Sequence, residues 1–137
     1  MRLKDKVIVV TGASAGMGKA ITERFVREGA KVVAVARRKE RLQELAQELA
    51  QGPGQVSVFA GDISRREDNE AMLEHAVKTY GRLDVLVNNA GIMDDNTAIG
   101  DMSDEMLERL MQVNACGPMY AMRRAVQIFL EQGEGGN

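Results

Sequence analysis

Cysteine, aromatic residues and long apolar runs are all scarce in this sequence of 137 residues, and charge of neither sign dominates. The single cysteine, Cys116, leaves no partner for an internal disulfide and too few thiolates for a cysteine metal cluster. No apolar run approaches the roughly 20 residues of a membrane-spanning helix. Charged residues 4–6 run directly into an apolar segment, unlike a signal peptide. The net charge of −2 gives no basic excess for nucleic acid or an anionic membrane. We therefore expect one cytoplasmic domain.

Residues 7–18, with the sequence VIVVTGASAGMG, are the most informative stretch. Val7–Val10 contains no polar residue, which predicts a strand buried on both faces of a sheet. Gly12, Gly16 and Gly18 predict a turn whose backbone closely approaches a neighbour, since a glycine inside an element costs about 0.5–1 kcal/mol relative to alanine. A strand, a glycine turn and a helix N-terminus together favour an anion, and the natural ligand is a pyrophosphate.

Apolar strands and amphipathic helices alternate along the whole chain. The predicted strands are residues 7–10, 31–36, 55–60 and 83–87, each followed by a helical pattern. This alternation predicts an α/β fold with helices on both faces of a parallel sheet. The glycine turn after the first strand predicts a Rossmann-type doubly wound sheet with strand order 3-2-1-4. We expect this sheet to be partial, without its later strands, in a single partial dinucleotide-binding domain over residues 1–137.

Three local signals concern the helices. In the first helix, the residues at helical spacing on the apolar face are Met17, Ala20, Ile21 and Phe25. Ser64 and Glu67 have the spacing of a capping box for the third helix. The last helical stretch begins near Ser103, and Gly117-Pro118 should disturb its hydrogen bonding.

The second predicted strand ends without an acid. In a dinucleotide site, an acid about 20 residues after the glycines binds the ribose 2′-hydroxyl, whereas an arginine accommodates a 2′-phosphate. Here Ala36 occupies that place, and Arg37 and Arg38 follow it. Guanidinium groups suit a phosphate, so the pattern favours NADP, with NAD as the alternative. A solvated turn would also explain both arginines.

Polar residues follow the third and fourth strands as well. Asp62 is suited to accept a hydrogen bond from an adenine amino group, or to cap the following turn. Asn88 and Asn89 can pin neighbouring backbones, and Ala90-Gly91 leaves room for a ligand, although a generic turn has the same composition. Because the carboxyl ends of parallel strands share one edge of the sheet, these segments should converge.

Asn114 interrupts the apolar stripe of the last helix, seven residues after Leu107 and four after Leu110. A buried amide without partners costs on the order of 1–3 kcal/mol. We therefore expect the Asn114 side chain to be buried and hydrogen-bonded to backbone, to water or to a catalytic group. A purely structural asparagine is the alternative.

Together these residues resemble the N-terminal half of the short-chain dehydrogenase/reductase family. Residues 11–18 match its TGxxxGxG motif, Asp62-Ile63 its adenine-contacting pair, residues 88–91 its NNAG segment, and Asn114 with Gly117 its helix asparagine. The resemblance covers the chain from Lys4 onward and is closest to bacterial reductases of the 3-oxoacyl-carrier-protein reductase type.

The resemblance implies a role for each matched residue. The pyrophosphate and adenosine ribose would be held by Gly12, Ser14, Gly16, Met17 and Gly18. The 2′-phosphate of NADP would meet Arg37, beside Arg38, and the adenine would meet Asp62 and Ile63. The path toward the nicotinamide would be lined by Asn89, Ala90 and Gly91, and Asn114 would hold a water in a proton relay.

The family's catalytic Tyr-x-x-x-Lys motif has no match in these residues. Tyr80 is followed four residues later by Asp84, and Tyr120 by Arg124, which is permanently charged and differently shaped from lysine. We therefore expect hydride transfer between a nicotinamide and a carbonyl or alcohol of a longer parent, and no turnover by the 137-residue chain alone. One alternative is a dinucleotide-binding module without catalysis. Another is an assembly fragment, which pairs with a second copy or another chain through an open sheet edge.

Two other nucleotide-binding classes fit less well. A methyltransferase would have an acid where Ala36 stands. A P-loop protein needs a hydroxyl where Ala20 follows Gly18-Lys19. The sequence therefore favours a dinucleotide site.

Overall fold

The computed structural model describes residues 1–137 and contains one four-stranded parallel sheet. The strands are β1 (Val7–Thr11), β2 (Lys31–Ala36), β3 (Gln55–Ala60) and β4 (Val85–Val87). The helices are α1 (Gly16–Arg27), α2 (Lys39–Leu49), α3 (Arg66–Tyr80), α4 (Asp104–Met111) and α5 (Gly117–Gln132). A 3₁₀ turn spans Ile99–Asp101, and a π-helical turn, Gln112–Cys116, joins α4 to α5. The strand order β3-β2-β1-β4 confirms the predicted Rossmann-type sheet.

The sheet is buried on both faces because successive side chains of each strand enter different cores. Val7 and Val9 of β1 pack in a core with α3 and α5. Ile8 and Val10 pack in a second core with α1 and α2. All residues of β1 are buried, as its unbroken apolar sequence predicts. This rigid central strand carries the glycine turn at its carboxyl end.

The buried face of α1 agrees only in part with the predicted one. Its buried residues are Gly18, Thr22 and Val26, whereas the predicted Met17 is 72% exposed. The Thr22 hydroxyl is satisfied internally, since Oγ1 donates to the Gly18 carbonyl oxygen at 2.9 Å. The helix turns its side-chain-free glycine toward the sheet. The predicted Ile21 and Phe25 pack half-buried against the same core, whereas Ala20 is exposed like Met17.

β4 is shorter than predicted. Leu83 and Asp84 are buried but lie before the strand, because both backbone groups of Leu83 bond to the side-chain amide of Gln132 at 2.7 and 2.9 Å. A side chain thus takes the hydrogen bonds that a sheet partner would make. β4 is an edge of the sheet, where the backbone of Asn137 bonds to Asp84 and Leu86 at 3.0 and 2.8 Å.

The predicted capping box of α3 is wrong. The helix begins at Arg66, and its N-cap Arg65 makes no side-chain cap hydrogen bond. Ser64 does not reach the helix, since its hydroxyl donates to Asp62 Oδ1 at 2.7 Å. The Ser64 hydroxyl is therefore bonded to the Asp62 carboxylate, two residues before it, and not to the helix.

The last helical stretch runs from residue 104 to residue 132 with a π-helical interruption. It begins as predicted, because the Ser103 side chain accepts a hydrogen bond from the Met106 N–H at 3.2 Å. Pro118 has no N–H to donate, and the preceding Gly117 N–H bonds to Gln112, five residues back. The predicted disturbance is therefore present. None of the helices combines the length and apolar character that crossing a membrane requires.

Candidate functional site

The carboxyl ends of the strands converge on a cleft of about 730 Å³, which is within the usual size range of small-molecule sites. Its walls come from the turns after β1, β2, β3 and β4, and from one side of α4. Of the residues predicted for the site, those that line the cleft are Gly12, Ser14, Arg37, Asp62, Ile63, Ala90 and Gly91. The remaining predicted residues, Gly16, Met17, Gly18, Arg38, Asn89 and Asn114, do not line it.

The glycine turn packs against the chain itself. Gly12 has φ +65°, and a Cβ there would lie 2.9 Å from Asn89 Nδ2 and 3.0 Å from Ala90 Cα. A Cβ on Gly18 would overlap the carbonyl oxygen of Gly12. The close approach that the glycines predict is therefore an approach of α1 and the β4 turn to the turn after β1.

Thr11 and Asn89 tie the ends of β1 and β4 together. Thr11 Oγ1 accepts hydrogen bonds from the N–H groups of Asn89 and Ala90, both at 3.0 Å. Asn89 Nδ2 donates to the carbonyl oxygens of Thr11 at 3.1 Å and Gly12 at 3.3 Å. Asn89 thus pins a neighbouring backbone, as its donors and acceptor predict, and does so from behind the cleft wall.

The N-terminus of α1 is open toward the cleft. Its N-cap, Ala15, makes no side-chain cap hydrogen bond, and the first turn contains no acidic residue. Ser14 and Ala15 line the cleft beside it. The first N–H groups of the helix and the positive end of its dipole are therefore available to an anion.

The end of β2 presents arginine to the cleft. Arg37 lines the cleft, whereas Arg38 is the N-cap residue of α2 and makes no side-chain cap hydrogen bond. Both side chains are exposed, and neither forms an ion pair with a carboxylate of the chain. Arg37 is thus a free positive charge directly after Ala36, the position where an acid would bind a ribose hydroxyl.

Asp62 caps the turn after β3 and still faces the cleft. Its Oδ1 accepts from the Ser64 hydroxyl at 2.7 Å and from the Ser64 N–H at 2.9 Å. These two bonds hold the pKa of the Asp62 carboxyl below its usual value, and the charges of Arg37 and Arg109 add to the effect. The carboxylate is therefore ionised at neutral pH, and Oδ2 makes no hydrogen bond within the chain.

Asn114 is exposed and not buried, so the predicted burial is wrong. The predicted hydrogen bonding is present, because Oδ1 accepts from the Ile92 N–H at 2.8 Å and Nδ2 donates to the Ile92 carbonyl oxygen at 2.7 Å. Leu107 and Met111, on the same predicted stripe, are 40% and 60% exposed. An apolar stripe predicts burial only where another element covers it. Here Asn114 fixes the segment that follows β4.

The sequence interpretation missed the wall that α4 contributes. Glu105, Glu108, Arg109 and Gln112 line the cleft, together with Val113. Their spacing of i, i+3, i+4 and i+7 is that of one helix face. This spacing is visible in the sequence, but the residues are polar, and a polar helix face ordinarily faces solvent.

Comparisons with known proteins agree with this geometry. The sequence pattern of one family, described as short chain dehydrogenase, matches residues 6–137. A 3beta-hydroxysteroid dehydrogenase of Eggerthella lenta is 45% identical over 134 residues, covering 98% of this chain and 52% of that protein. An uncharacterized oxidoreductase of Listeria monocytogenes is 34% identical over 135 residues, covering 98% of this chain and 54% of that protein.

Solved structures give the same result for the fold. A short chain dehydrogenase from Mycobacterium smegmatis superposes with a TM-score of 0.93 at 38% identity, covering 98% of this chain and 56% of that one. A metagenomic short-chain oxidoreductase in complex with NADP superposes with a TM-score of 0.91 at 32% identity, covering 98% of this chain and 61% of that one. The chain therefore spans about half the length of the curated relatives it matches.

Proposed function

Because the chain belongs to the short chain dehydrogenase family, we propose that its cleft binds NADP(H) and that residues 1–137 form the cofactor-binding domain of an oxidoreductase. The observation that carries the proposal is the convergence of the four strand ends and the uncapped N-terminus of α1 on one cleft. When bound, the cofactor would supply or accept a hydride. A solved relative in complex with NADP supports the choice of cofactor class.

The residues present fit a dinucleotide. The uncapped α1 terminus offers N–H donors to a pyrophosphate, beside Gly12 and Ser14. Gly16 and Met17 contribute the first two residues of that helix, and Gly18 lets it approach the turn. The absence of a side chain at Gly12 lets the turn after β1 lie close against Asn89 and Ala90 of the β4 turn.

We propose that the adenosine end lies toward β2 and β3. Arg37 would bind a 2′-phosphate through its guanidinium, with Arg38 adding charge from outside the cleft. The free Oδ2 of Asp62 would accept from the adenine amino group, beside Ile63. The absence of an acid at Ala36 favours NADP over NAD.

The nicotinamide would then extend toward the turn after β4. Ala90 and Gly91 are the small residues of the cleft wall there, and Asn89 holds that turn against β1. Asn114 holds the next segment through Ile92, which supports a positioning role for its side chain. That Asn114 also holds a water in a proton relay stays a prediction.

Titration of the purified chain with NADPH and NADH tests the cofactor proposal. We expect tighter binding of NADPH, and we expect Arg37→Ala to remove that preference by weakening NADPH about tenfold, as the loss of a charge-assisted hydrogen bond predicts. Arg41→Ala is the matched control, since Arg41 is an exposed arginine of α2 that lies outside the cleft and was not assigned to the site. Equal affinities for the two cofactors in the wild type, or an unchanged preference in Arg37→Ala, would reject the 2′-phosphate role.

We propose that the parent reaction is hydride transfer between the nicotinamide and a carbonyl or alcohol. Residues 1–137 contain no Tyr-x-x-x-Lys, so the 137-residue chain should bind the cofactor without reducing a carbonyl. NADPH oxidation assayed over a panel of ketones checks this expectation. Turnover that persists through purification and disappears in Asn114→Ala would contradict it.

A second proposal concerns association. The last helical stretch exposes a row of large apolar residues, Met111, Met119, Met122, Val126 and Leu130, each between 48% and 76% exposed. The last four of them are spaced three or four residues apart along α5, so a second copy of the chain would bury them in one helix-to-helix contact. Light scattering at high concentration should give a mass above that of the monomer, and Met122→Glu should lower it. A monomer at every concentration would refute the proposal.

A further inference from the structure

The turn after β3, residues 62–65, is anchored from one side by α3. Asn69 Nδ2 donates to the carbonyl oxygens of Ile63 at 2.7 Å and Arg65 at 2.9 Å. Asn69 is 1% exposed, so these bonds are shielded from water. The Asp62 N–H also donates to Asp68 Oδ2 of α3, at 2.7 Å. These bonds fix the turn to its own helix.

Gln112 anchors the same turn from the opposite wall of the cleft. Its Nε2 donates to the Ser64 carbonyl oxygen at 2.7 Å, and the side chain is half-buried at the cleft surface. Ser64 in turn donates to Asp62 Oδ1 through its hydroxyl and its N–H, at 2.7 and 2.9 Å. A continuous path of hydrogen bonds therefore runs from Gln112 through Ser64 to the Asp62 carboxylate.

The π-helical turn brings Gln112 to this point. Its wider hydrogen bonding joins the Gly117 N–H to the Gln112 carbonyl oxygen, five residues apart. A Cβ on Gly117 would overlap the carbonyl oxygen of Ile63. The backbone of the π-helical turn thus lies directly against the β3 turn, and a side chain as short as glutamine spans the remaining gap.

We infer that Gln112 is a positioning residue for the adenosine end of the dinucleotide, holding Ser64, and through it Asp62, at a fixed separation from the α4 wall. The inference rests on the proposed function, because it assigns the adenine to Asp62. α3 holds one side of the turn. On the other side, Gly117 packs against Ile63, and the Gln112 hydrogen bond holds Ser64, the residue that bonds to the Asp62 carboxylate. The gap between the turn and α4 is where a planar base would enter.

The first test needs no cofactor. We would follow the Asp62 side-chain carboxyl carbon by NMR during an acid titration of the wild type and of Gln112→Met, which keeps an unbranched side chain and removes the N–H donor. Loosening Ser64 should weaken its hydrogen bonds to Asp62, so the Asp62 pKa should rise toward the ordinary value of about 4.

The matched control is Gln127→Met, since Gln127 is an exposed amide on α5 whose side chain bonds only to Arg124, at 3.2 Å. The control should leave the Asp62 titration unchanged. Circular dichroism and a urea titration establish that each variant is folded. A folded Gln112→Met with the wild-type Asp62 titration would overturn the inference.

The second test measures binding of adenosine 2′,5′-bisphosphate and of NADPH by calorimetry. Gln112→Met should weaken both by the same factor of about five, as the loss of one hydrogen bond predicts, because the effect lies at the end that they share. In an Asp62→Asn background the same substitution should cause no further loss, since Gln112 acts through Asp62. An equal loss in both backgrounds would overturn the inference.

The two proposals fail differently. A wild-type chain that binds neither ligand would reject the proposed cofactor site, while the ligand-free Asp62 titration would still decide the role of Gln112. A wild-type chain that binds both, with Asp62→Asn weakened and Gln112→Met unaffected, would reject Gln112 alone.

Discussion

At the amino end of the sheet Arg82 pairs with Asp84 and Glu134, whereas the charged side chains that line the cleft at the carboxyl end form no ion pair. The Asp84 carboxylate, 7% exposed, accepts from the Val7 N–H at 2.9 Å and from the Arg82 guanidinium at 2.7 Å. Arg82 also bonds to Glu134 at 2.6 Å. These contacts join β1, the approach to β4 and the segment after α5.

The carboxyl end has the opposite character. Arg37, Arg109, Glu105 and Glu108 all line the cleft, and none of them forms an ion pair within the chain. The hydrogen bonds at this end join backbone turns to uncharged side chains such as Asn89 and Gln112, and to the carboxylates of Asp62 and Asp68. One end of the sheet thus uses its charges for stability, and the other keeps them available for a ligand. Substitutions at the two ends should therefore separate stability from binding.

The largest effect is expected from Gly18→Ala, which should reduce both the stability of the fold and the affinity for NADPH. Its Cβ would overlap the Gly12 carbonyl oxygen, a backbone atom that cannot rotate aside. We expect a loss of about 3 kcal/mol in the free energy of unfolding, at the upper end of overpacking costs, and a loss of NADPH affinity of at least about tenfold. Urea unfolding and fluorescence titration measure the two quantities.

Gly100→Ala is the matched control for that substitution, since a Cβ on Gly100 meets nothing within 4 Å. It should leave both quantities within about 0.5 kcal/mol of the wild type. A Gly18→Ala chain with wild-type stability and affinity would show that the close packing of α1 on the glycine turn is not required.

Asp84→Asn should reduce stability and leave NADPH affinity unchanged. The substitution removes the charge that Arg82 and the Val7 N–H share, and we expect a loss of about 2 kcal/mol at pH 7, since Arg82 is partly exposed. Urea unfolding measures the loss of stability, and an NADPH titration of the same preparation measures the affinity. A weakened affinity at unchanged stability would break the contrast between the two ends of the sheet.

The same loss should depend on pH. Burial raises the pKa of Asp84, but the hydrogen bonds from Val7 and Arg82 outweigh it, so the folded-state pKa lies below its usual value. Near pH 4 the unfolded chain therefore binds more protons at this site, and the contribution of Asp84 is full above that pH and is lost as the pH falls. The unfolding free energies of the wild type and Asp84→Asn should converge on acidification. A difference that stays constant down to pH 2 would contradict this.

The sequence predicted the local features of the strands and helices but not the contacts between residues far apart in the chain. Local patterns predicted the strands, since Val7–Val10 contains no polar residue. A local position also indicated the cofactor, since Ala36 stands where an acid would bind ribose. Local patterns also predicted the helix start at Ser103, because a cap is a contact between near neighbours. The network at Asp84 and the Gln112 contact join residues far apart in the sequence, so no local pattern reveals them.

Two errors have one physical cause. The capping box at Ser64 and the burial of Asn114 were each inferred from spacing within one element. The Ser64 hydroxyl donates to Asp62, and the Asn114 side chain bonds to the Ile92 backbone while staying exposed. Spacing predicts which face a residue occupies, whereas its partner is decided by competing neighbours, either two residues away, as at Asp62, or in another segment, as at Ile92.

The smallest effect should come from the acidic side of the cleft. Glu108 lines the cleft near Arg109 and has no ionic partner, so its charge opposes an anionic ligand. A unit charge interaction in water is worth roughly 1 kcal/mol at 4 Å and less at longer range. Glu108→Gln should therefore tighten NADPH binding by about twofold at low salt, and the gain should vanish at high salt because the interaction is screened. Glu44→Gln is the control, since Glu44 is an exposed, unpaired carboxylate on α2 outside the cleft. An equal gain in both variants would assign the effect to net charge and would remove the α4 wall from the binding site.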